Sequence, residues 1–433
     1  MSSLMIGVLG IILLIVLLLA GKNIGFTMLF VGFVGYAMVV SIKAAMGVLQ
    51  SVPFSRSSNF DLSVIPLFVL MGQFAFHAGL SGDLYDFCHK FLGRVPGGLA
   101  VATIAACAGF AAICGSSTAC AATMGVVCLP EMKKYKYDDA LSTGCLAAGG
   151  TLGILIPPSV GFILYGISAE ESIGALFAAG ILPGILLSLF FIATIVIQVV
   201  RKPALGPKGD RYTIHEKLSS LKNVVPILIL FVVVIGGIFI GLFTANEGAA
   251  IGAFGAFIFM IIRKKANWSN IKTALFESLK TTAMIFLIII GAYVFGAFLT
   301  VSGLPTALAS VISSLPVSRY LILVLILLVY VALGCIMDSL SMVMLLVPIF
   351  LPIIKTLGFD PIWFGVLMVM VMETGLITPP VGLNAYVISG VAKDVPLHRV
   401  FQGVVPFIFA LFAAVAVVII FPQLALFLPG LMY

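Results

Sequence analysis

The 433-residue chain is 62% hydrophobic and 9% charged, with a formal net charge of +7 and a mean hydropathy of +1.27. An ordinary soluble domain is roughly a quarter charged and about half apolar, so a soluble enzyme is excluded. Apolar runs recur from Met5 to Leu428, and lipid offers backbone groups no partners, so such a chain spans as helices or as a closed barrel. Barrel strands alternate over about ten residues, and Val224 to Phe243 does not alternate. An all-α polytopic membrane protein follows, with the lipid bilayer as its solvent. The surplus of basic residues is a topology signal rather than the mark of a nucleic-acid partner. The seven cysteines form no CxxC pair and have no His at ligand spacing, so they are expected as small core residues. The first apolar run has no basic start and no small-residue cleavage site before Gly21, which predicts a retained helix rather than a signal peptide.

Spans of about twenty residues cross a core of roughly 30 Å. They are expected at 3–20, 24–42, 62–80, 138–167, 172–200, 223–243, 246–263, 281–302, 361–389 and 400–428. Residues 97–132 and 320–354 are interrupted near their middles, by FAAICGSSTACAATMG and VALGCIMDSLSMVMLL. Each is expected as a re-entrant hairpin, because non-helical backbone at membrane depth survives only when buried in protein or lining a wet cavity. Segments 81–95 and 264–280 are amphipathic and are expected in the interface plane as connecting arms.

With 97–132 as a hairpin, three basic clusters fall on one side: Lys90 to Lys136, Arg201 to Lys222, and Arg263 to Lys272. By the positive-inside rule that side is cytoplasmic. Both termini, including Tyr433, then come out periplasmic. A single crossing at 97–132 would put Arg94 and Lys133 on opposite sides and erase the asymmetry.

An ordered set of residues repeats at about 222 positions: Gly72 with Gly296, Gly79-Leu80 with Gly303-Leu304, Ser116 with Ser339, and Leu129-Pro130 with Leu351-Pro352. Gly153 to Pro158 then matches Gly375 to Pro380, and, after a shift of one, Gly161, Tyr165 and Ser168 match Gly382, Tyr386 and Ser389; Pro183 matches Pro406. Five expected crossings between the hairpins invert the second copy, the inverted-topology repeat of secondary transporters.

The breaks carry the candidate chemistry. Pro157 and Pro158 remove two amide donors, freeing carbonyls from Gly153 to Ile156 that suit a small hard cation. The tip Gly115, Ser116, Ser117 and Thr118 adds hydroxyls and a half-helix N-terminus, which favours an anion. Met337 to Ser341 and Thr378 to Asn384 are the second-repeat equivalents. Asp338 is an acid inside an apolar run, where it faces a wet interior or a cation, or caps the following half-helix. Glu373 is a second such acid, placed to bind a proton or cation or to pair with a neighbouring helix. Asn384, opposite Ile163 in the first repeat, suits substrate contact or a helix–helix hydrogen bond. Glu247 is expected to cap a helix, His77 to be interfacial, and Met368, Met370 and Met372 to face lipid or the core surface. The sequence holds no GxxxxGK[ST], HExxH or GxSxG motif, so nucleotide hydrolysis and these enzyme chemistries find no support.

FAAICGSSTACAATMG, AAGGTLGILIPPS, MDSLSMVMLLVPIFLP and ETGLITPPVGLNAYV together resemble the large membrane subunit of tripartite ATP-independent periplasmic (TRAP) transporters, and the likeness covers nearly the whole chain. The resemblance implies a secondary transporter subunit, not an enzyme, in the bacterial inner membrane. It would import a small organic acid anion (a C4-dicarboxylate, a sialic or sugar acid, or similar) with Na⁺ as coupling ion, two or more per cycle. It also implies a soluble periplasmic binding protein and a small four-helix membrane subunit, absent from this sequence, as partners. The implied fold is the elevator type. Residues 1–96 and 223–319 would be scaffold helices and arms, 201–222 a cytoplasmic loop, and 97–200 and 320–433 the two transport repeats. One Na⁺ site would involve Gly115, Ser116, Ser117, Thr118, Gly153, Ile156 and Pro157. The other would involve Asp338, Ser339, Ser341, Thr378, Pro379 and Gly382. Substrate would meet Ser117, Pro158, Ser159, Pro380 and Asn384. The alternative is a self-sufficient divalent-anion/Na⁺ symporter that needs no binding protein. A channel would show no Na⁺ dependence, and a lipid-linked enzyme would cluster its acids, His or Lys at one interface.

Overall fold

The computed structural model describes residues 2–314 and 316–432; Met1 and Tyr433, the termini assigned above to the periplasm, lie outside them. Every regular element among the described residues is helical. Helix starts follow from short polar side chains: Asn23, Ser41, Ser116, Asp138, Ser159, Ser172, Asp338 and Asp360 each accept a hydrogen bond from a backbone N–H of the first turn. Such caps satisfy donors that a helix cannot satisfy itself. Glu247 does cap, through a reciprocal box with Thr244.

The two interrupted runs form helix pairs. Gly98–Cys114 and Ser117–Lys134 make the first hairpin, and Arg319–Gly334 and Ser339–Thr356 make the second. The Pro-Pro segments break two further helices, Asp139–Leu155 from Val160–Ala169, bent by 42°, and Pro361–Ile377 from Leu383–Val391. Helix Asp139–Leu155 is buried continuously from Leu141 to Leu155, and Pro361–Ile377 from Trp363 to Ile377. A helix apolar all round belongs inside, and these two form the centre of the molecule. Met368, Met370 and Met372 are therefore core, not lipid-facing surface. The outer helices expose Val225, Leu228, Ile229 and Val232, a face suited to an apolar solvent. Seven helices among the described residues are long and apolar enough to cross a bilayer, or eight with the bent pair.

Three elements differ from expectation. Ile42–Ser57 is a helix that hydropathy misses because Lys43, Gln50, Pro53 and Arg56 interrupt it; the Arg56 guanidinium lies 3.7 Å above the Tyr293 ring. Segments 264–280 and 281–302 are one helix, Trp268–Ser302, 35 residues long, since no proline separates arm from span. The expected loop 201–222 is shortened by helix Ile214–Phe231, which starts at a Thr213–Glu216 capping box. The repeat partner of arm Leu80–Leu92 is Leu304–Ser314, each following a glycine with positive φ, Gly79 at 80° and Gly303 at 71°.

Ion pairs cross between the repeats. Lys133, ending the first hairpin, pairs with Asp394 beyond the second broken helix. Lys355, 222 positions later, ends the second hairpin and meets Glu171, beyond the first broken helix, at 3.7 Å. The Lys133 hydrogen bond holds the Asp394 carboxyl below its usual value.

Candidate functional site

Each hairpin tip is built by a turn followed by a cap. At the first, Gly115 adopts φ 66° and ends its helix; Ser116 then caps the next, its Oγ accepting from Ala119 N and lying 3.4 Å from Thr118 Oγ1. At the second, Asp338 caps: Oδ1 accepts from Ser341 N at 3.1 Å and Oδ2 from Ser341 Oγ at 2.6 Å. Both carboxylate oxygens are thus engaged, while Asp338 still faces a cavity. The caps Ser116 and Asp338 are 222 apart, so the pairing of Ser116 with Ser339 shifts by one. Ser117 is the counterpart of Ser339, and each opens its half-helix.

The breaks pack directly behind the tips. Pro157 and Pro158 supply no N–H to the Gly153 and Ile154 carbonyls; Ile154 O instead accepts from the Ser159 hydroxyl, and Ser159 Oγ also caps Val160–Ala169. The Gly115 carbonyl accepts from Val160 N at 3.3 Å, stitching tip to break. A Cβ on Gly153 would stand 2.6 Å from Ser116 O, and one on Gly375, its repeat partner, 2.5 Å from Gly334 Cα. Glycine at both positions lets tip and break approach at backbone distance. At the second break Thr378 Oγ1 donates to Thr374 O at 2.6 Å, and Gly382, with φ 59°, starts the next helix.

A cavity of about 570 Å³ opens between the two tips and two long helices. Gly115, Ser116, Ser117, Thr118, Asp338 and Ser339 line one wall, while Gln73 from Val64–His77 and Glu277 and Thr281 from Trp268–Ser302 line the other. Among the described residues its lining contains no Lys, Arg or His. Its polar groups are hydroxyls, an amide, carboxylates and half-helix N-termini, which suit hard cations and an anion held together.

The other candidate residues lie outside that lining. Gly153, Ile156, Pro157, Pro158 and Ser159 are buried, as are Ser341 and Gly382; Thr378 is half-buried; Pro379 and Pro380 are exposed. Asn384 is 0% exposed and neither amide atom has a hydrogen-bond partner in the structure. Glu373 is buried at 1% exposure and accepts from Ser339 Oγ at 2.9 Å. It thus faces the hairpin tips, which the sequence left open. Gln73, Glu277 and Thr281 were not among the expected site residues, because nothing in their local sequence distinguishes them from helix surface. The mate of their wall is known only once the tips are placed.

Residues 11–424 match the family model described as tripartite ATP-independent periplasmic transporter, DctM component. The chain is 37% identical to the C4-dicarboxylate TRAP transporter large permease protein DctM of Pseudomonas aeruginosa, over 87% of this chain and 88% of that protein. It is 33% identical to the sialic acid TRAP transporter large permease protein SiaM of Vibrio cholerae, over 96% of each. The fold resembles the crystal structure of the YdaH transporter of Alcanivorax borkumensis, with a TM-score of 0.63 at 16% identity, covering 88% of this chain and 90% of that one. These relatives are named as transporters and permease subunits, not enzymes. The apolar helices, the paired breaks and the full-length match make this chain a member of the DctM family, the multi-pass large permease of TRAP transporters.

Proposed function

We propose that the chain carries a small organic acid anion across the bacterial inner membrane, driven by Na⁺, with a periplasmic binding protein delivering substrate and a small four-helix membrane subunit beside it. The observation that carries this reading is the cavity between the two hairpin tips and the long helices. Relatives named for C4-dicarboxylate and sialic acid support this substrate class. With no basic side chain in the lining, an anion is held by half-helix N-termini and by co-transported cations. Gly115, Ser116, Ser117, Thr118, Gly153, Ile156 and Pro157 would hold one Na⁺, and Asp338, Ser339, Ser341, Thr378, Pro379 and Gly382 another. Ser117 meets substrate from the cavity wall. Pro158, Ser159, Pro380 and Asn384 meet it when tips and breaks part.

Hairpins and broken helices move as one body past the long helices in this scheme, an elevator. The pairs Lys133–Asp394 and Lys355–Glu171 support it by tying each hairpin to the other repeat. Hairpins as re-entrant elements and basic loops on the cytoplasmic side, with both termini periplasmic, belong to the same proposal.

The test is uptake into proteoliposomes with the small subunit and binding protein present. Wild type requires Na⁺ and the binding protein; Asp338→Asn and Ser116→Ala lose about five- to thirtyfold of Na⁺-dependent uptake, as lost ion contacts of about 1–2 kcal/mol predict. Full uptake and unchanged Na⁺ dependence in both variants would overturn the site. Uptake by the chain alone would favour a self-sufficient symporter.

A further inference from the structure

We propose that Glu373 is a positioning residue linking the two Na⁺ sites, so that filling one hairpin tip favours filling the other. This rests on the Na⁺ coupling proposed above and adds a physical route for cooperativity within it.

Glu373 lies in the last turns of Pro361–Ile377, directly behind both tips. Its Oε1 accepts from Ser339 Oγ at 2.9 Å. The Ser117 hydroxyl also interacts with the carboxyl, though in a geometry that leaves Oε2 and Ser117 Oγ without a well-formed hydrogen bond. Ser117 and Ser339 are the first residues of the two half-helices, and both line the cavity. The buried carboxyl is therefore hydrogen-bonded to the second tip and lies beside the first. The positive ends of two helix dipoles converge on it, and none of the ion pairs among the described residues involves it.

The link exists on one side only. The first-repeat counterpart, 222 positions earlier, is Thr151, whose hydroxyl turns back to Ala148 O at 2.5 Å and reaches neither tip. A cation drawing one serine toward itself shifts the shared carboxyl and so the other serine. The effect of one site on the other is then reciprocal by thermodynamic linkage.

The experiment measures Na⁺-induced thermal stabilisation of the purified full chain with its small subunit, titrating NaCl against choline chloride at constant ionic strength. Wild type is expected to respond with a Hill coefficient near two, the ceiling for two coupled sites. Glu373→Ala is expected to fall to about one, with half-saturation raised roughly tenfold. Glu373→Gln keeps an oxygen for Ser339 and offers an amide N–H to Ser117, and is expected to retain the wild-type coefficient. Glu373→Asp keeps the charge but is one methylene too short to reach both serines, and is expected to behave like Ala; it serves if Ala does not fold. Wild-type cooperativity in both Ala and Asp overturns the link, and so does a Gln variant that fails like Ala, which would make the charge itself an ion ligand. A wild type with a coefficient of one sinks the link alone. A wild type with no response to Na⁺ removes the Na⁺ coupling beneath it as well.

Discussion

The two Pro-Pro breaks are matched in sequence and differ in cover. Every residue from Thr151 to Val160 is buried, whereas Pro379, Pro380 and Val381 are exposed. Helix Ile173–Arg201 closes over the first break: a Cβ on Gly180 would stand 2.6 Å from Leu155 O, and one on Gly184 2.6 Å from an Ile156 side-chain carbon. Gly403, the counterpart of Gly180, packs against Ala140 instead. Gly72 and Gly296, on the two helices facing the tips, differ in the same sense, for a Cβ on Gly72 would lie 3.2 Å from Ile113 O at the first tip while Gly296 has nothing within 4 Å. Tyr165 is buried with its hydroxyl on Pro361 O, but Tyr386 is 48% exposed. Access at a break is therefore set by which neighbours cover it, not by the break's own residues. One half covered and the other open is what the alternating-access scheme proposed above expects of a single conformation.

The largest expected effect comes from filling the tip–break contacts. Gly153→Ala and Gly375→Ala each force backbone apart at sites with no free room, at a cost of about 1–3 kcal/mol, and should abolish most uptake and lower the melting temperature. Gly296→Ala, with open space around it, is the matched control and should be neutral. Equal tolerance at 153 and 296 would show that backbone contact does not hold the first break.

Thiol labelling tests the difference in access next. Cysteine at Val381 should react on the order of tenfold or more faster than cysteine at Ser159, because attack needs an accessible thiolate. Equal rates would erase the asymmetry between the repeats. Ser159→Ala follows, removing a helix cap and the donor to Ile154 O; a melting measurement should register about 1–2 kcal/mol. Val381→Ala, at the corresponding position without a cap, should not.

The smallest effect belongs to the cross-repeat ion pairs, which solvent reaches and salt screens. Asp394→Asn should change uptake less than twofold at neutral pH. Because the Lys133 hydrogen bond lowers the Asp394 carboxyl, its contribution is present above the usual carboxylate value and is lost as pH falls through the lowered one. The wild-type and Asn melting curves should therefore converge in acid; a gap that widened there would reverse the sign.

Much of this molecule is legible in its residues. The long apolar runs require helices, and the register of about 222 residues between Pro-Pro, Leu-Pro and Gly-Leu pairs locates both hairpins and both broken helices, because proline and glycine act on their own local backbone. Helix Ile42–Ser57 escaped hydropathy because a helix lying against another needs only one apolar side. The arm joined to Trp268–Ser302 escaped it because amphipathic and apolar segments carry no mark where they merge. Asp338 announced a polar site from inside an apolar run, yet its role as a cap depends on the turn before it. What the chain alone determined is where its backbone must break and which hydroxyls and acids stand there. Only the tertiary structure decided that Gln73, Glu277 and Thr281 face those breaks, that Glu373 is buried with its hydrogen bond on Ser339, and that one break is covered while its twin is open. Those facts rest on contacts between segments up to a few hundred residues apart, and packing of that kind leaves no local signature in sequence.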